Sequence, residues 1–368
     1  MHSQPSPDQI EVSIFGPGYG EGILIRVPPG DWILVDCCVD QSTKKPAPLV
    51  YLESLGVDPA TDVKLIVATH WHDDHIRGLS KVVSSCPNAQ FAMSTALQCE
   101  EFTNLVYAMG ERTLIEGGSG VAEFNSIISQ LFESQRVPIL ASENKTLWTR
   151  REVGQPTCQV TSLSPSDRAY LQVIQDFSSL FPEEHDPKRR VLPKIQNKNH
   201  ISVTLWVQID EYAVLLGADL EDTSTASHGW GGIANSPNRP QGKAIIYKIP
   251  HHGSETAENA DVWDLMLEDD PLSLCTPFNH GTSLPKGSDV ERICSRTSQA
   301  YITSSKKVKS SLLKSKDRQV EKLLKNSGIK FLSPPLETGL VRTRFFLNAV
   351  PSQFPVELFS GACRLDEF

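Results

Sequence analysis

The chain has 368 residues, a formal net charge of −9 and a hydrophobic fraction of 39%. This composition is typical of a globular protein and excludes a disordered chain. No run of eighteen apolar residues occurs, so we expect no membrane-spanning helix and no membrane partner. The polar N-terminal segment lacks the pattern of a signal peptide. We therefore expect a cytoplasmic protein that forms a single domain over residues 1–368.

The cysteine pattern and the net charge argue against two further classes, disulfide-stabilised proteins and binders of long duplex nucleic acid. The eight cysteines are scattered and form no Cys-x-x-Cys pair, so a disulfide framework is not expected. Proteins that bind long duplex nucleic acid usually present a basic face, which the acidic net charge disfavours. Basic residues are concentrated only in 188–198 and 306–330. The default interpretation of both stretches is a solvated loop or helix face.

The first hundred residues predict a sheet with helices. Short apolar runs bounded by Gly and Pro clusters indicate strands and hairpins. A continuous apolar, β-branched run is typical of a buried strand. On these grounds we predict strands over 10–15, 22–27 and 32–35, a helix over 48–55 and a buried strand over 63–68.

The middle of the chain predicts a helical insert over about 94–147, which is also a candidate partner surface. It is followed by a strand over 158–163, a helix over 166–180 capped by Ser166, and a long basic loop over about 182–199. A second hairpin pairs 201–209 with 212–216. The first hairpin ends at Asp36 and the second leads to Asp219, which hints at a duplicated half. From residue 243 onward, alternating strands and helices indicate α/β layers.

The strongest signal follows the strand over 63–68. Three histidines and a carboxylate lie within six residues, in the stretch His70-Trp71-His72-Asp73-Asp74-His75. In an extended loop His70 and His72 point to the same side, and a turn after Asp73 brings Asp74 and His75 to a second centre. Imidazole nitrogens and carboxylate oxygens are ligands that zinc takes. The sequence therefore predicts a metal site in this loop.

This loop carries the His-x-His-x-Asp-His motif, and the chain resembles the metallo-β-lactamase superfamily. Four further stretches are similar to the hydrolase domain of ComEC-type DNA-uptake proteins, whose membrane portion is missing here. They are 12–36, 51–57 (Tyr-Leu-Glu-Ser-Leu-Gly-Val), 217–221 (Gly-Ala-Asp-Leu-Glu) and 248–254 (Lys-Ile-Pro-His-His-Gly-Ser). The resemblance and the predicted elements imply an α/β protein with the four-layer αβ/βα metallo-β-lactamase sandwich.

The resemblance also implies two divalent metal ions, with zinc expected and manganese as the alternative. His70 and His72 would bind the first ion, and Asp74 and His75 the second. Asp219 would bridge both ions, because a shared carboxylate offsets the repulsion between two cations. His252 would complete the second site.

Several assignments stay open at this stage. Either Asn199 or His200 would face the first metal ion, with His200 as a ligand in the second case. His251 would be a ligand or a substrate contact beside His252. Asp36 is expected to hold the histidine loop by hydrogen bonds rather than to bind metal. His280 is a candidate catalytic residue that contacts substrate.

The expected activity follows from the two ions. Together they lower the pKa of a water between them and clamp the attacking and leaving oxygens, while Asp74 would orient that water or accept its proton. A phosphodiesterase or nuclease acting on a nucleotide or single-stranded nucleic acid is the leading expectation. Hydrolysis of a lactone, ester, thioester or amide is the enzymatic alternative. A non-catalytic, metal-stabilised subunit of a larger assembly is the alternative of another class.

Overall fold

The computed structural model describes most of the chain, namely residues 2–17, 19–40, 42–98, 120–178, 198–223, 228–279, 283–304, 338–347 and 354–368. Three predicted features lie wholly or largely outside these residues. They are the basic loop over 182–199, the basic stretch over 306–330, and the candidate catalytic residue His280.

Sixteen strands are described, and they form two sheets of eight. In chain order they are β1 (Gln9–Gly16), β2 (Gly22–Val27), β3 (Asp31–Val35), β4 (Val63–Ala68), β5 (Gln90–Ser94), β6 (Ile139–Ala141), β7 (Lys145–Arg150), β8 (Cys158–Ser162), β9 (Leu205–Ile209), β10 (Tyr212–Leu216), β11 (Ala244–Lys248), β12 (Leu267–Cys275), β13 (Ala300–Ile302), β14 (Gly339–Phe346), β15 (Val356–Phe359) and β16 (Cys363–Arg364). The first sheet has the order β15-β14-β1-β2-β3-β4-β5-β6, and the second β16-β13-β12-β11-β10-β9-β8-β7.

The described helices lie between these strands in the chain. They are α1 (Ala47–Leu55), α2 (Pro59–Asp62), α3 (Asp73–Ile76), α4 (Leu79–Ser85), α5 (Gly120–Glu133), α6 (Asp167–Ser178), α7 (Gly229–Ala234), α8 (Ala260–Met266) and α9 (Gly287–Arg296). Short 3-10 turns occur at Thr95–Gln98, Lys198–Ile201, His251–Gly253, Glu255–Ala257 and Leu365–Glu367. None of the helices in the described part of the chain has the length and apolar character needed to cross a bilayer.

Three hydrophobic layers hold these elements together. The central layer joins the inner faces of the two sheets, with residues such as Ile25 and Val67 facing Val207 and Leu216. A second layer packs the outer face of the first sheet against α1, α4, α5 and α6. A third packs the outer face of the second sheet against α7, α8 and α9. Helix, sheet, sheet and helix thus follow one another, which confirms the predicted four-layer αβ/βα sandwich.

Both sheets repeat one strand pattern. In the first sheet β1, β2 and β3 are antiparallel and β4 then runs parallel to β3. In the second sheet β8, β9 and β10 are antiparallel and β11 runs parallel to β10. Asp36 therefore follows β3 as Asp219 follows β10, and the histidine loops follow β4 and β11. The carboxyl ends of corresponding strands thus carry the candidate metal ligands.

Most predicted elements are observed within a few residues of their expected bounds, and two regions differ. In the described part of 94–147 the structure has a 3-10 turn, α5 and β6, and β7 begins there; the two strands are edge strands of the two sheets. The strand predicted from residue 201 begins only at Leu205. The Val203 amide donates instead to the Thr69 carbonyl, and the Thr204 amide donates to the Ser164 hydroxyl.

Candidate metal centre

The loop after β4 presents the first set of ligand-type atoms. His70 is fully buried and His72 is half-buried. His70 Nε2 lies 3.0 Å from His72 Nδ1, and the Thr69 hydroxyl contacts His70 Nδ1 on the opposite edge of the ring at 3.0 Å. This contact leaves His70 Nε2 to face the cluster, as a metal-binding imidazole does when its other nitrogen is held.

Asp219 lies between this pair and a second group. Its Oδ2 is 3.7 Å from His70 Nε2 and 3.7 Å from His252 Nε2, and its Oδ1 is 3.2 Å from His75 Nε2. Asp219 is consequently common to two groups of mutually close ligand atoms, His70–His72–Asp219 and Asp74–His75–Asp219–His252. A carboxylate shared in this way is the arrangement expected of a bridging ligand.

The second group combines residues from both halves of the chain. His252 Nε2 lies 3.1 Å from Asp74 Oδ2, although the two residues are 178 positions apart in sequence. His252 Nδ1 lies 3.0 Å from the Thr276 carbonyl, which can only accept a hydrogen bond. That bond requires the proton on Nδ1 and leaves Nε2 as the nitrogen that faces Asp74.

Unpartnered atoms in this cluster are consistent with a cation. His75 Nε2 and Asp219 Oδ1 are buried and make no hydrogen bond within the part of the chain that the structure describes, although they are 3.2 Å apart. Buried polar atoms without partners are costly unless another group satisfies them. Because both are zinc-type donors and face each other, the residues fit a divalent ion held by imidazole and carboxylate groups.

The electrostatics of the cluster favour positive charge at His75 and disfavour it at His70. Burial alone would lower the pKa of His75, but the carboxylates of Asp219, Glu21 and Asp74 raise it well above its ordinary value. Burial and the neighbouring His75 and His72 rings lower the pKa of His70 well below its usual range. His70 is thus held neutral, while a metal ion would compete with a proton for His75.

Asp36 lies behind the histidine loop. Its Oδ1 accepts a bond from the Thr69 amide at 2.8 Å, and its Oδ2 accepts one from the Thr69 hydroxyl at 2.6 Å. The same Oδ2 lies 2.7 Å from His75 Nδ1. Asp36 thereby fixes the edge of His75 that points away from the cluster, which is how a carboxylate orients a metal-binding imidazole.

The remaining predicted residues form a polar group beside the cluster. His251 Nδ1 lies 3.0 Å from Glu221 Oε1, and Asn199 Nδ2 contacts both His251 and Glu221. His200 Nε2 is 3.9 Å from Glu221 Oε2. Among the described residues, three groups of ligand atoms lie close enough together to hold a metal ion, the third being Asp36–His70–His75. Of the two adjacent histidines only His252 belongs to one of these groups, and His200 belongs to none of them. Asn199 and His200 both approach Glu221.

Sequence reasoning missed three buried residues under the site. Lys248 Nζ lies 2.7 Å from Glu21 Oε1, and the Thr276 hydroxyl donates to Glu21 Oε2 at 2.6 Å. The signals were present in the sequence: a lone lysine ends the apolar stretch 244–248, and a lone glutamate lies between Gly20 and Gly22. A charged residue inside a buried strand predicts a buried partner.

One family model matches the chain. Residues 15–97 match the model described as "Metallo-beta-lactamase superfamily", and the matched segment contains the whole His70 to His75 loop. Among curated protein sequences, no match to the chain was found.

Several solved structures are similar to the chain, among them metallo-β-lactamases and a metallo-β-lactamase fold protein. A motif mutant of a metallo-β-lactamase from Cronobacter sakazakii is 15% identical, with 62% of this chain and 64% of that chain covered, at a TM-score of 0.31. The metallo-β-lactamase fold protein YhfI from Bacillus subtilis is 13% identical, with 65% and 70% covered, at a TM-score of 0.32. This chain thus spans less than two thirds of the Cronobacter structure.

These likenesses are distant, and the four-layer fold is evident from the sheets and layers of this protein itself. The closer resemblance to ComEC-type proteins stays a prediction. Residues 15–97, with their histidine loop at the carboxyl end of β4, resemble the metallo-β-lactamase superfamily.

Proposed function

We propose that this protein is a hydrolase with two divalent metal ions, most simply zinc, that cleaves a phosphodiester bond in a nucleotide or single-stranded nucleic acid. The observation that carries the proposal is the pair of ligand groups that share Asp219. His70 and His72 would hold one ion, and Asp74, His75 and His252 the other. When bound, the two ions supply Lewis acidity that stabilises negative charge developing on phosphate oxygens.

The protein's own side chains supply orientation and charge around that centre. Burial opposes ionisation of Asp74, but His75 and His252 lower its pKa below the ordinary range. Asp74 is therefore a carboxylate that accepts hydrogen bonds, which suits it to orient an attacking water. Asn199 and His251 form a polar edge on which a substrate oxygen can be held.

Two half-buried aromatic rings support a nucleotide as substrate. The Phe278 ring lies 5.3 Å from the ring of His252, and Tyr19 lies 5.6 Å from Phe278. The Arg77 guanidinium is placed over the Tyr19 ring at 5.7 Å. Aromatic side chains beside a phosphate site stack on nucleobases without strong sequence preference. The basic stretches over 188–198 and 306–330 would add contacts to phosphates.

The direct test is metal-dependent turnover of bis(p-nitrophenyl) phosphate by the zinc- and manganese-loaded protein. We expect turnover that is abolished by chelation and that falls by about 10²–10⁴-fold in Asp74→Asn. Asp73→Asn is the matched control, because Asp73 adjoins Asp74 but pairs with Arg77 at 3.5 Å. We expect it to retain most of the activity.

Other outcomes would redirect the proposal. Turnover of lactones, thioesters or amides without phosphodiester turnover would replace the substrate class and keep the metal-dependent hydrolase. Two bound ions with no turnover of any substrate would indicate a non-catalytic, metal-stabilised subunit. A pulldown would then identify its partner, with the segment over 94–147 as the predicted contact surface.

A further inference from the structure

A charged pair is buried beneath the candidate metal centre. The side chain of Lys248, the last residue of β11, is 1% exposed and that of Glu21 is 0% exposed. Lys248 Nζ lies 2.7 Å from Glu21 Oε1 and donates to the carbonyl of Ala218 at 2.9 Å. A lysine this deeply buried requires such partners, because an unpaired charge in the core is very costly.

The Glu21–Lys248 pair contacts each residue of the second ligand group, either directly or through one neighbouring residue. The Glu21 amide donates to the Asp74 carbonyl at 2.8 Å, and Glu21 Oε1 lies 3.7 Å from His75 Nδ1. Lys248 holds the carbonyl of Ala218, the residue immediately before Asp219. Glu21 Oε2 accepts from the hydroxyl of Thr276, whose carbonyl contacts His252. One ion pair is thus linked to all four members of the second ligand group, Asp74, His75, Asp219 and His252.

The same pair joins the two halves of the sandwich. Glu21 lies in the turn between β1 and β2 of the first sheet, and Lys248 ends β11 of the second. Asp74 and His75 follow a strand of the first sheet, whereas Asp219 and His252 follow strands of the second. The ligands from the two sheets are therefore held in mutual position by a contact that contains no ligand.

Fold stability alone does not explain why a lysine and a glutamate, rather than two apolar residues, occupy these buried positions. Replacing a buried ion pair by apolar side chains of similar volume is often neutral or stabilising. We propose that Lys248 and Glu21 are positioning residues that preassemble the second ligand group by fixing the two sheets and the backbone before Asp219. The inference rests on the metal-binding function proposed above.

The experiment compares stability with metal affinity in the full chain. In Lys248→Met/Glu21→Leu both charges are removed together, so neither is left buried and unpaired. We expect urea unfolding of the metal-free double variant to be close to that of the wild type. At least one of the two zinc dissociation constants, measured by chelator competition, should rise by about 10–100-fold. The absorption spectrum of the cobalt-substituted protein should also change.

Arg150→Met is the matched control. Arg150 is 6% exposed and pairs with Asp31 at 2.6 Å, which also joins the two sheets. Asp31 begins β3, so this pair lies at the opposite end of that strand from Asp36 and the metal centre. Loss of Arg150 should lower stability and leave both zinc affinities and the cobalt spectrum unchanged.

Thr276→Val tests the connection between Glu21 and His252 with a smaller change than the double variant. The Thr276 hydroxyl lies 3.2 Å from His252 Nδ1 and donates to Glu21 Oε2 at 2.6 Å, so it connects the two side chains directly. Thr276→Val removes this hydroxyl while keeping the shape of the side chain and the backbone carbonyl that also contacts His252. We expect weaker zinc binding in Thr276→Val and recovery in Thr276→Ser, which restores the hydroxyl.

These measurements distinguish failure of the positioning role from failure of the proposed function. Wild-type zinc affinities and cobalt spectra in both Thr276→Val and the double variant would overturn the positioning role while the proposed function stands. A wild-type protein that binds fewer than two ions would overturn the proposed function, and the positioning role with it.

Discussion

At the scale of single residues, Asp219 decides whether the two ligand groups act as one centre. Its two oxygens lie within 3.2–3.7 Å of imidazole nitrogens from His70, His75 and His252. Removing the carboxylate would leave the two proposed ions without a common ligand and without the negative charge that offsets their repulsion. The first prediction therefore concerns Asp219→Ala.

We expect Asp219→Ala to lose at least one zinc ion per chain and nearly all phosphodiester turnover. His280→Ala is the comparison, because His280 is predicted to contact substrate rather than metal and should lose rate while keeping its zinc. Elemental analysis and turnover of both variants provide the measurement. A His280→Ala protein depleted of zinc would make His280 a ligand, and an unaffected Asp219→Ala protein would remove the bridge.

The second prediction concerns Asp36, whose Oδ2 lies 2.7 Å from His75 Nδ1, on the edge of the ring that points away from the cluster. An asparagine at this position offers one acceptor oxygen where the carboxylate offers two, so His75 loses part of its orientation. We expect Asp36→Asn to weaken zinc binding by about 10–100-fold. Asp40→Asn is the control, since Asp40 also accepts several hydrogen bonds, from Ser42, Thr43 and Thr338. Equal zinc affinities in the two variants would argue against the role of Asp36.

The residues of the cluster differ in how far sequence predicts them. His70 to His75 are adjacent, so their shared chemistry is visible in one short stretch. Asp219 and His252 were assigned only by resemblance, because a lone aspartate after a strand is ordinarily a cap or turn. The Glu21–Lys248 pair was missed, since its partners are separated by more than two hundred residues and local patterns carry no information on such pairings.

At the scale of elements, the approach of β10 to β11 leaves no room beside Gly217. A methyl group there would lie 2.9 Å from the Lys248 carbonyl oxygen and 2.9 Å from Pro250 Cβ. Both neighbours belong to the end of β11 and the histidine loop after it, so they are tied to the rest of the site. The glycine is therefore required by close packing two residues before Asp219.

The third prediction is that Gly217→Ala destabilises the fold by about 1–3 kcal/mol and lowers zinc affinity by displacing Asp219. Gly287→Ala is the control, because a methyl group at Gly287 would meet none of the described residues within 4 Å and alanine favours the helix that begins there. Urea unfolding and zinc titration of both variants test this. Equal stability of the two variants would contradict the packing argument.

Sequence patterns predicted the strands better than their pairing. Strands β2 and β4 match the predicted bounds because apolar runs and flanking turns mark them. In contrast, β14 pairs with β1 in a register that joins Gln9 to Phe346, and no local pattern indicates a partner so far along the chain. The same limit explains why β6 and β7 were not recognised as edge strands within 94–147.

At the scale of the whole molecule, the candidate ligands come from both sheets, so bound metal should connect the halves of the sandwich. A ligand that binds only the folded state stabilises it by about 2.7 kcal/mol at a concentration of 100 times its dissociation constant. The fourth prediction is a zinc-dependent rise of this order in the free energy of unfolding. The rise should be much smaller in Asp219→Ala, and an identical rise in both proteins would indicate zinc binding elsewhere.

The central claim is that two metal ions share Asp219 at the meeting point of the two sheets. Anomalous diffraction at the zinc edge, from crystals grown at saturating zinc, tests it most directly. The account predicts two peaks about 3.5–4 Å apart, one beside His70 and His72 and one beside His75 and His252, with Asp219 between them. A single peak, or none within reach of Asp219, would contradict it.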